Sequence, residues 1–135
     1  MKGIFGLLAV LSIGMGSADD SISLDQIFMN VVQTAPNGVV NQDTFFHFAQ
    51  NGEWVTATYA GGRIRSGYLV GRIVEGNQLI FSYCQAQLDG RLDNGASQCE
   101  IARNQEGRVV LIEYFEWASR PGEYGTNVLQ EYLPE

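Results

Sequence analysis

Glycine-bearing turn signals recur along this 135-residue chain at short intervals, and they limit what can form between them. The signals are Asn37-Gly38, Asn51-Gly52, Gly61-Gly62, Glu75-Gly76-Asn77, Asp89-Gly90, Asn94-Gly95, Glu106-Gly107, and Pro121-Gly122 followed by Gly125. Asn-Gly, Asp-Gly and Gly-Gly supply the positive φ angles that tight hairpins require. The intervening segments are rich in Val, Ile, Thr, Tyr and Phe, the residues that favour a pleated, half-buried surface. The pattern predicts about eight strands, near 24–33, 41–50, 53–60, 63–74, 78–88, 96–104, 108–118 and 125–133. Leu24 to Val32 is the best helical stretch, but its apolar spacing is interrupted and it runs into Ala35-Pro36-Asn37-Gly38, so it too reads as a strand.

Short connections make sequence neighbours pair antiparallel, because a parallel crossover needs about a dozen residues or more. A meander of about eight strands leaves two exposed edges unless it closes on itself. A closed barrel of about eight strands is just wide enough to be filled by side chains or to hold one small ligand. Gly67 and Gly71, inside the segment GYLVGRI, suit the close approach that a small barrel demands. The length fits one domain, and 45% hydrophobic residues suffice for a core.

The formal net charge is -7; the one Lys is Lys2, and the seven Arg are dispersed. Nucleic-acid binding, which needs clustered Lys and Arg to neutralise phosphate, is therefore not expected. Adhesion to anionic lipid is disfavoured for the same reason. Residues 1–18 carry a positive start, an apolar run from Ile4 to Met15 and the small residues Gly16-Ser17-Ala18, the layout of a secretory signal cleaved after Ala18. The alternative is a retained apolar helix or extra buried strand, and hence a cytoplasmic protein. With cleavage, residues 19–135 form a single exported barrel domain with no membrane insertion once the leader is removed; the apolar run is too short to span a bilayer.

The segment LIEYFEWAS, residues 111–119, poses the sharpest functional question. In a strand, Leu111, Glu113, Phe115 and Trp117 share one face, apolar except for Glu113. If Glu113 points into the barrel, it binds a polar part of a ligand or acts as a general acid or base with a raised pKa. Otherwise it is a structural carboxylate paired with Arg63, Arg65 or Arg72, or with the hydroxyls of Tyr59 or Tyr83, or it faces water in the opposite register, and these structural readings outweigh the functional one. A buried carboxylate without a partner or a proton is too costly to persist. Glu116 alternates to the other face and is expected in solvent.

His47, the single His, shares a face with Phe45 and Ala49 and is either a proton shuttle or a hydrogen-bonded core or rim residue. Trp54, Tyr59, Tyr68, Phe81, Tyr83, Phe115 and Trp117 either line a pocket or fill the barrel. Cys84 and Cys99 fall on consecutive strands, where a cross-strand disulfide and two free thiols both fit until the register is known. Neither these cysteines with one distant His nor the LDGRLDNG segment matches a metal motif, so no metal and no cofactor are expected. Asp89, Asp93 and Asn94 of that segment read as a solvated turn.

The stretch TFFHFAQNGEWVTATYAGGRIRSGYLVG, residues 44–71, resembles a group of small bacterial proteins often labelled N-acetylglutamate synthase. The shared pattern is an aromatic-His-aromatic strand, a turn, V-x-A-x-Y-x-G-G-x-I, and a Gly-x-Leu-x-Gly strand. FSYCQAQLDG and LIEYFEWAS extend the likeness to about residues 38–131. The resemblance implies a compact β fold, and the label implies acyl transfer. The Gly-rich helix opening that would hold a coenzyme A pyrophosphate on backbone amides is not found in this sequence. The expected architecture is all-β, an antiparallel up-and-down meander of about eight strands forming a small calycin-like barrel. The first functional expectation is a non-catalytic small-molecule-binding or structural barrel, with Glu113, Tyr59, Tyr83, Trp117, His47 and Arg72 as ligand-binding residues. An isomerase- or cyclase-type enzyme using Glu113 comes second, and the acyltransferase third.

Overall fold

A computed structural model describes residues 21–133. The expected signal segment, residues 1–18, lies outside the described residues. Eight strands follow one another in chain order: β1 (Phe28–Gln33), β2 (Phe45–Asn51), β3 (Trp54–Gly61), β4 (Ile64–Val74), β5 (Gln78–Gln87), β6 (Leu92–Arg103), β7 (Val109–Trp117) and β8 (Tyr124–Glu131). Each pairs antiparallel with the next, and β8 returns to β1 through Met29↔Glu131, Asn30↔Gln130 and Val31↔Leu129, closing the barrel. Closure satisfies the edge groups that an open meander would leave unpaired. No helix among the described residues is long and apolar enough to cross a membrane.

Strand β1 begins at Phe28 rather than near 24, because buried Leu24 closes one end of the barrel instead, and two further boundaries depart from the sequence reading, each for a physical reason. Asn94-Gly95 is not a turn but lies inside β6, which begins at Leu92. A Cβ on Gly95 would collide with the Glu116 carbonyl oxygen and the Tyr83 hydroxyl, so this glycine serves close packing rather than a positive φ. The true turn is at Asp89-Gly90, where Gly90 has φ 93°. The second departure is at β2, which starts at Phe45 rather than near 41. Residues 34–44 form instead a loop folded over one end of the barrel, burying Ala35, Val39, Val40 and Thr44. Gly67 behaves as expected, since a Cβ there would enter the Tyr59 ring.

Period-two alternation places one residue of each pair inside. The interior has two chemically different halves. Around the end where the chain enters, Leu24, Met29, Phe48, Leu79, Leu111 and Val55 are completely or almost completely buried. Burying side chains of this kind stabilises by roughly 1.5–3 kcal/mol each. Leu24 closes that end, its N–H donating to Gln50 Oε1 at 2.8 Å. Toward the end covered by the 34–44 loop, the interior adds polar groups among the rings: Gln85, Gln87, Asp93, Ser97, Glu113 and Asn127 are all buried. A second, small apolar cluster of Val110, Ile112 and Val128, with Tyr114 against it, sits on the outer face of β7 and β8.

Cys84 is exposed and Cys99 buried, and both are free. In the β5–β6 ladder Cys84 lies opposite Asn94, while Cys99 lies opposite Leu79. The two side chains thus leave the sheet on opposite faces, which rules out the cross-strand disulfide.

Candidate functional site

Glu113 points into the barrel. Its cross-strand neighbours are Cys99 on β6 and Asn127 on β8. The Ser97 hydroxyl donates to Glu113 Oε2 at 2.7 Å, and Asn127 Nδ2 donates to Oε1 at 3.3 Å. Burial raises the Glu113 pKa above its ordinary value, and these two hydrogen bonds offset only part of that rise. Both partners are neutral. The arginines considered as partners lie elsewhere: Arg65 and Arg72 are exposed, and Arg63 Nη2 donates to Gln87 Oε1 at 3.3 Å.

Tyr59, Tyr83 and Trp117 line the same interior as Glu113. The Tyr59 hydroxyl donates to Gln85 Oε1 at 2.8 Å rather than to Glu113, and its ring stacks on Phe46 at 4.4 Å. Tyr83 meets Trp117 edge-on at 6.0 Å, and Trp117 meets Phe115 at 5.5 Å. Both phenols are pushed up, first by burial and then by the nearby Glu113 charge, so they remain neutral donors. The Trp117 indole N–H is buried and has no hydrogen-bond partner among the described residues.

These groups enclose a cavity of about 30 Å³, whose wall includes Glu113, Tyr83, Phe115, Trp117 and Asn127, with Val39 and Val40 of the loop. It holds one water-sized group, so the rings mostly fill the barrel and leave a small polar chamber. A much larger concavity, about 1090 Å³, lies on the outer faces of β3 to β8 and is open to solvent. Its lining includes the exposed side chains of Trp54, Arg72 and Glu116.

His47 and Arg72 are the two expected site residues that the fold keeps away from this chamber. His47 occupies the outer face of β2, stacked on Phe28 at 4.3 Å with Nε2 3.1 Å from Gln26 Oε1. Arg72 lies outside β4, with its guanidinium 5.9 Å from the Trp54 ring centroid. Alternation explains both, because each is one residue out of step with its inward neighbours Phe48 and Gly71.

Asp93 also departs from expectation. It is buried rather than solvated, accepting from Gln87 Nε2 at 2.9 Å and pairing with Arg120 Nη2 at 3.4 Å. Arg120, on the β7–β8 turn, also pairs with Glu123 and lays its guanidinium 3.8 Å over the Trp117 ring. Ser97, Gln85, Asp93, Arg120 and Asn127 are the site residues that sequence reasoning missed. For Asn127 the signal was available: the turn around Pro121-Gly122 brings it opposite Glu113. For the others the register was needed first. Among the described residues no group of three or more His, Cys, Asp or Glu side chains could hold a metal ion.

A family model described as "Avidin-like protein" matches residues 22–132. No curated protein matches the chain. The family match lends no support to the N-acetylglutamate synthase label. It covers every strand of the eight-stranded antiparallel barrel and the whole of the Glu113 chamber; the chain belongs to the avidin-like family.

Proposed function

We propose that the protein is a non-catalytic small-molecule-binding barrel whose ligand places a polar group against Glu113. The carrying observation is a buried carboxylate with only neutral partners, on the wall of a small chamber. A purely structural role would be served at lower cost by an apolar residue, because burying a carboxylate carries a desolvation penalty. Avidin-like barrels bind small ligands such as biotin, which supports this reading without naming the ligand here. The Trp117 N–H offers a donor to complement the Glu113 acceptor.

Access is through the 34–44 loop. Val39 and Val40 occupy the end of the chamber, and a ligand larger than one water-sized group must displace them. Export through a leader ending at Ala18 belongs to the same reading, on the layout of the first residues.

The test is native mass spectrometry of protein recovered from its own host. Extra mass that disappears on denaturation, and that is missing from the Glu113→Gln variant, is the expected result. Bare protein in both, with no mass gained from a metabolite extract, would overturn the proposal. A second reading, acid–base catalysis by Glu113, draws on its raised pKa. Turnover of a substrate, lost in Glu113→Gln while folding is intact, would put that reading in place of the first.

A further inference from the structure

We infer that the group received beside Glu113 is a cation of ammonium size, the head of a primary amine. This rests on the binding reading above and adds the chemical class of the ligand. Charge is the first argument. The ion pairs among the described residues engage Arg91, Arg108 and Arg120, each with acidic groups other than Glu113. Glu113 is left with two neutral donors, whereas a carboxylate offers about four lone-pair sites. The other ionisable groups nearby are Tyr59 on β3, Tyr83 on β5, and Cys99 and Asp93 on β6. The phenols and the Cys99 thiol are held neutral by burial, and Asp93 is committed to Arg120. β8 contributes the neutral Asn127. Arg120, laid over the Trp117 ring, is committed to Asp93 and Glu123, so Glu113 is the carboxylate of the chamber left without a cationic partner, and an anionic head group would meet its repulsion.

The walls are the second argument. Tyr83, Phe81, Phe115 and Trp117 bring aromatic rings to the same space. Ring faces carry negative potential and attract ammonium groups, most strongly when both are shielded from water. A carboxylate within a set of rings is a cation receptor by chemistry alone. At the mouth, Arg120 is outnumbered by Asp93 and Glu123, and the chain's net charge of -7 favours the approach of a cation.

The experiment is a calorimetric titration of the intact protein with n-butylamine, n-butanol, butyrate and biotin, each at several pH values. Butylamine is expected to bind about tenfold or more tightly than butanol or butyrate, as a buried charge-assisted contact should. Its affinity should fall as pH is lowered and Glu113 takes up a proton. Glu113→Gln, shown to fold by circular dichroism, should lose that advantage. Ser97→Ala provides an independent variant: it removes a hydrogen bond that favours the ionised carboxylate, so the pH below which amine affinity is lost should move up. Binding of biotin or butanol in preference to butylamine would overturn the cation assignment and leave the binding reading standing. Binding of none of the four would overturn the assignment, and the host-recovered mass spectrum would then decide the binding reading separately. Equal amine affinity in the native protein and both variants would also overturn it.

Discussion

Asn127 and Glu113 face each other across β7 and β8, and Asn127 ties the carboxylate to the loop that covers the barrel. Its Nδ2 donates to Glu113 Oε1 at 3.3 Å, while its Oδ1 accepts from the Ala35 N–H at 2.8 Å. One amide thus hydrogen-bonds the carboxylate on one side and holds the loop on the other. Asn127→Ala should remove both bonds and leave a buried N–H and a buried carboxylate oxygen short of partners. The expected cost is about 1–3 kcal/mol in a denaturant titration. Hydrogen exchange at Ala35 should accelerate more than exchange at Met29, which lies in the aliphatic half.

The raised Glu113 pKa fixes the sign of a pH dependence. The folded protein holds the Glu113 proton to higher pH than the unfolded chain, whose carboxyl titrates near its ordinary value of 4.5. Between those two values the folded state binds more protons, so stability falls as pH rises. Below the window the penalty is absent, and above it the penalty is complete. Glu113→Gln should flatten this part of the profile and leave the acid limb due to other carboxylates in place. Melting temperatures recorded from pH 4 upward check it; a variant profile parallel to that of the native protein would contradict the assignment.

Gly95 should tolerate no side chain. Gly95→Ala would drive a Cβ into the Glu116 carbonyl oxygen and the Tyr83 hydroxyl. One of those neighbours belongs to the backbone of β7 and cannot swing aside. A loss of about 1–3 kcal/mol is expected from overpacking, measured by thermal or urea unfolding. At Gly90, where nothing lies within 4 Å of an added Cβ, the same change should act only through the strain of φ 93°.

Arg120 shields Trp117 and neutralises buried Asp93. Arg120→Ala should cost about 1–2 kcal/mol through the lost cation–π contact and the weakened ion pair. Fluorescence offers a direct readout, because Trp54 is exposed and Trp117 is buried. The blue-shifted, quencher-protected component from Trp117 should become accessible to acrylamide, while the Trp54 component stays as it was.

Thiol chemistry tests the register. Cys84 should react with a disulfide-exchange reagent in the native state, and Cys99 only after unfolding. Burial also pushes the Cys99 thiol pKa up, which slows it further. An intact mass two hydrogen atoms lighter than the reduced chain would mean that the two cysteines are joined, against the geometry.

Much of this architecture was readable before any coordinates. Turn signals and β-rich segments located the strands, short connections made them antiparallel, and alternation put Glu113 on the face shared with Leu111, Phe115 and Trp117. These properties are local, since each depends on residues a few positions apart in one strand or one turn. The ambiguity at Asn94-Gly95 was local as well: a glycine needed for positive φ and a glycine needed for close approach look the same in sequence.

What the chain order leaves open is who meets whom across the barrel. The partners of Glu113 come from β6 and β8, and Asp93 reaches Arg120 from a different hairpin. Such meetings follow from the register, and the bulges between Val31 and Gln33, Tyr59 and Gly61, and Ile64 and Ser66 shift it. A single-residue shift reverses every side chain, so the placement of His47 and Arg72 outside, the separation of Cys84 from Cys99, and the neutral partners of Glu113 all awaited the closed sheet. The size of the chamber is the most collective property of all. It is the small volume left after every ring and the 34–44 loop have packed, and no single segment specifies it.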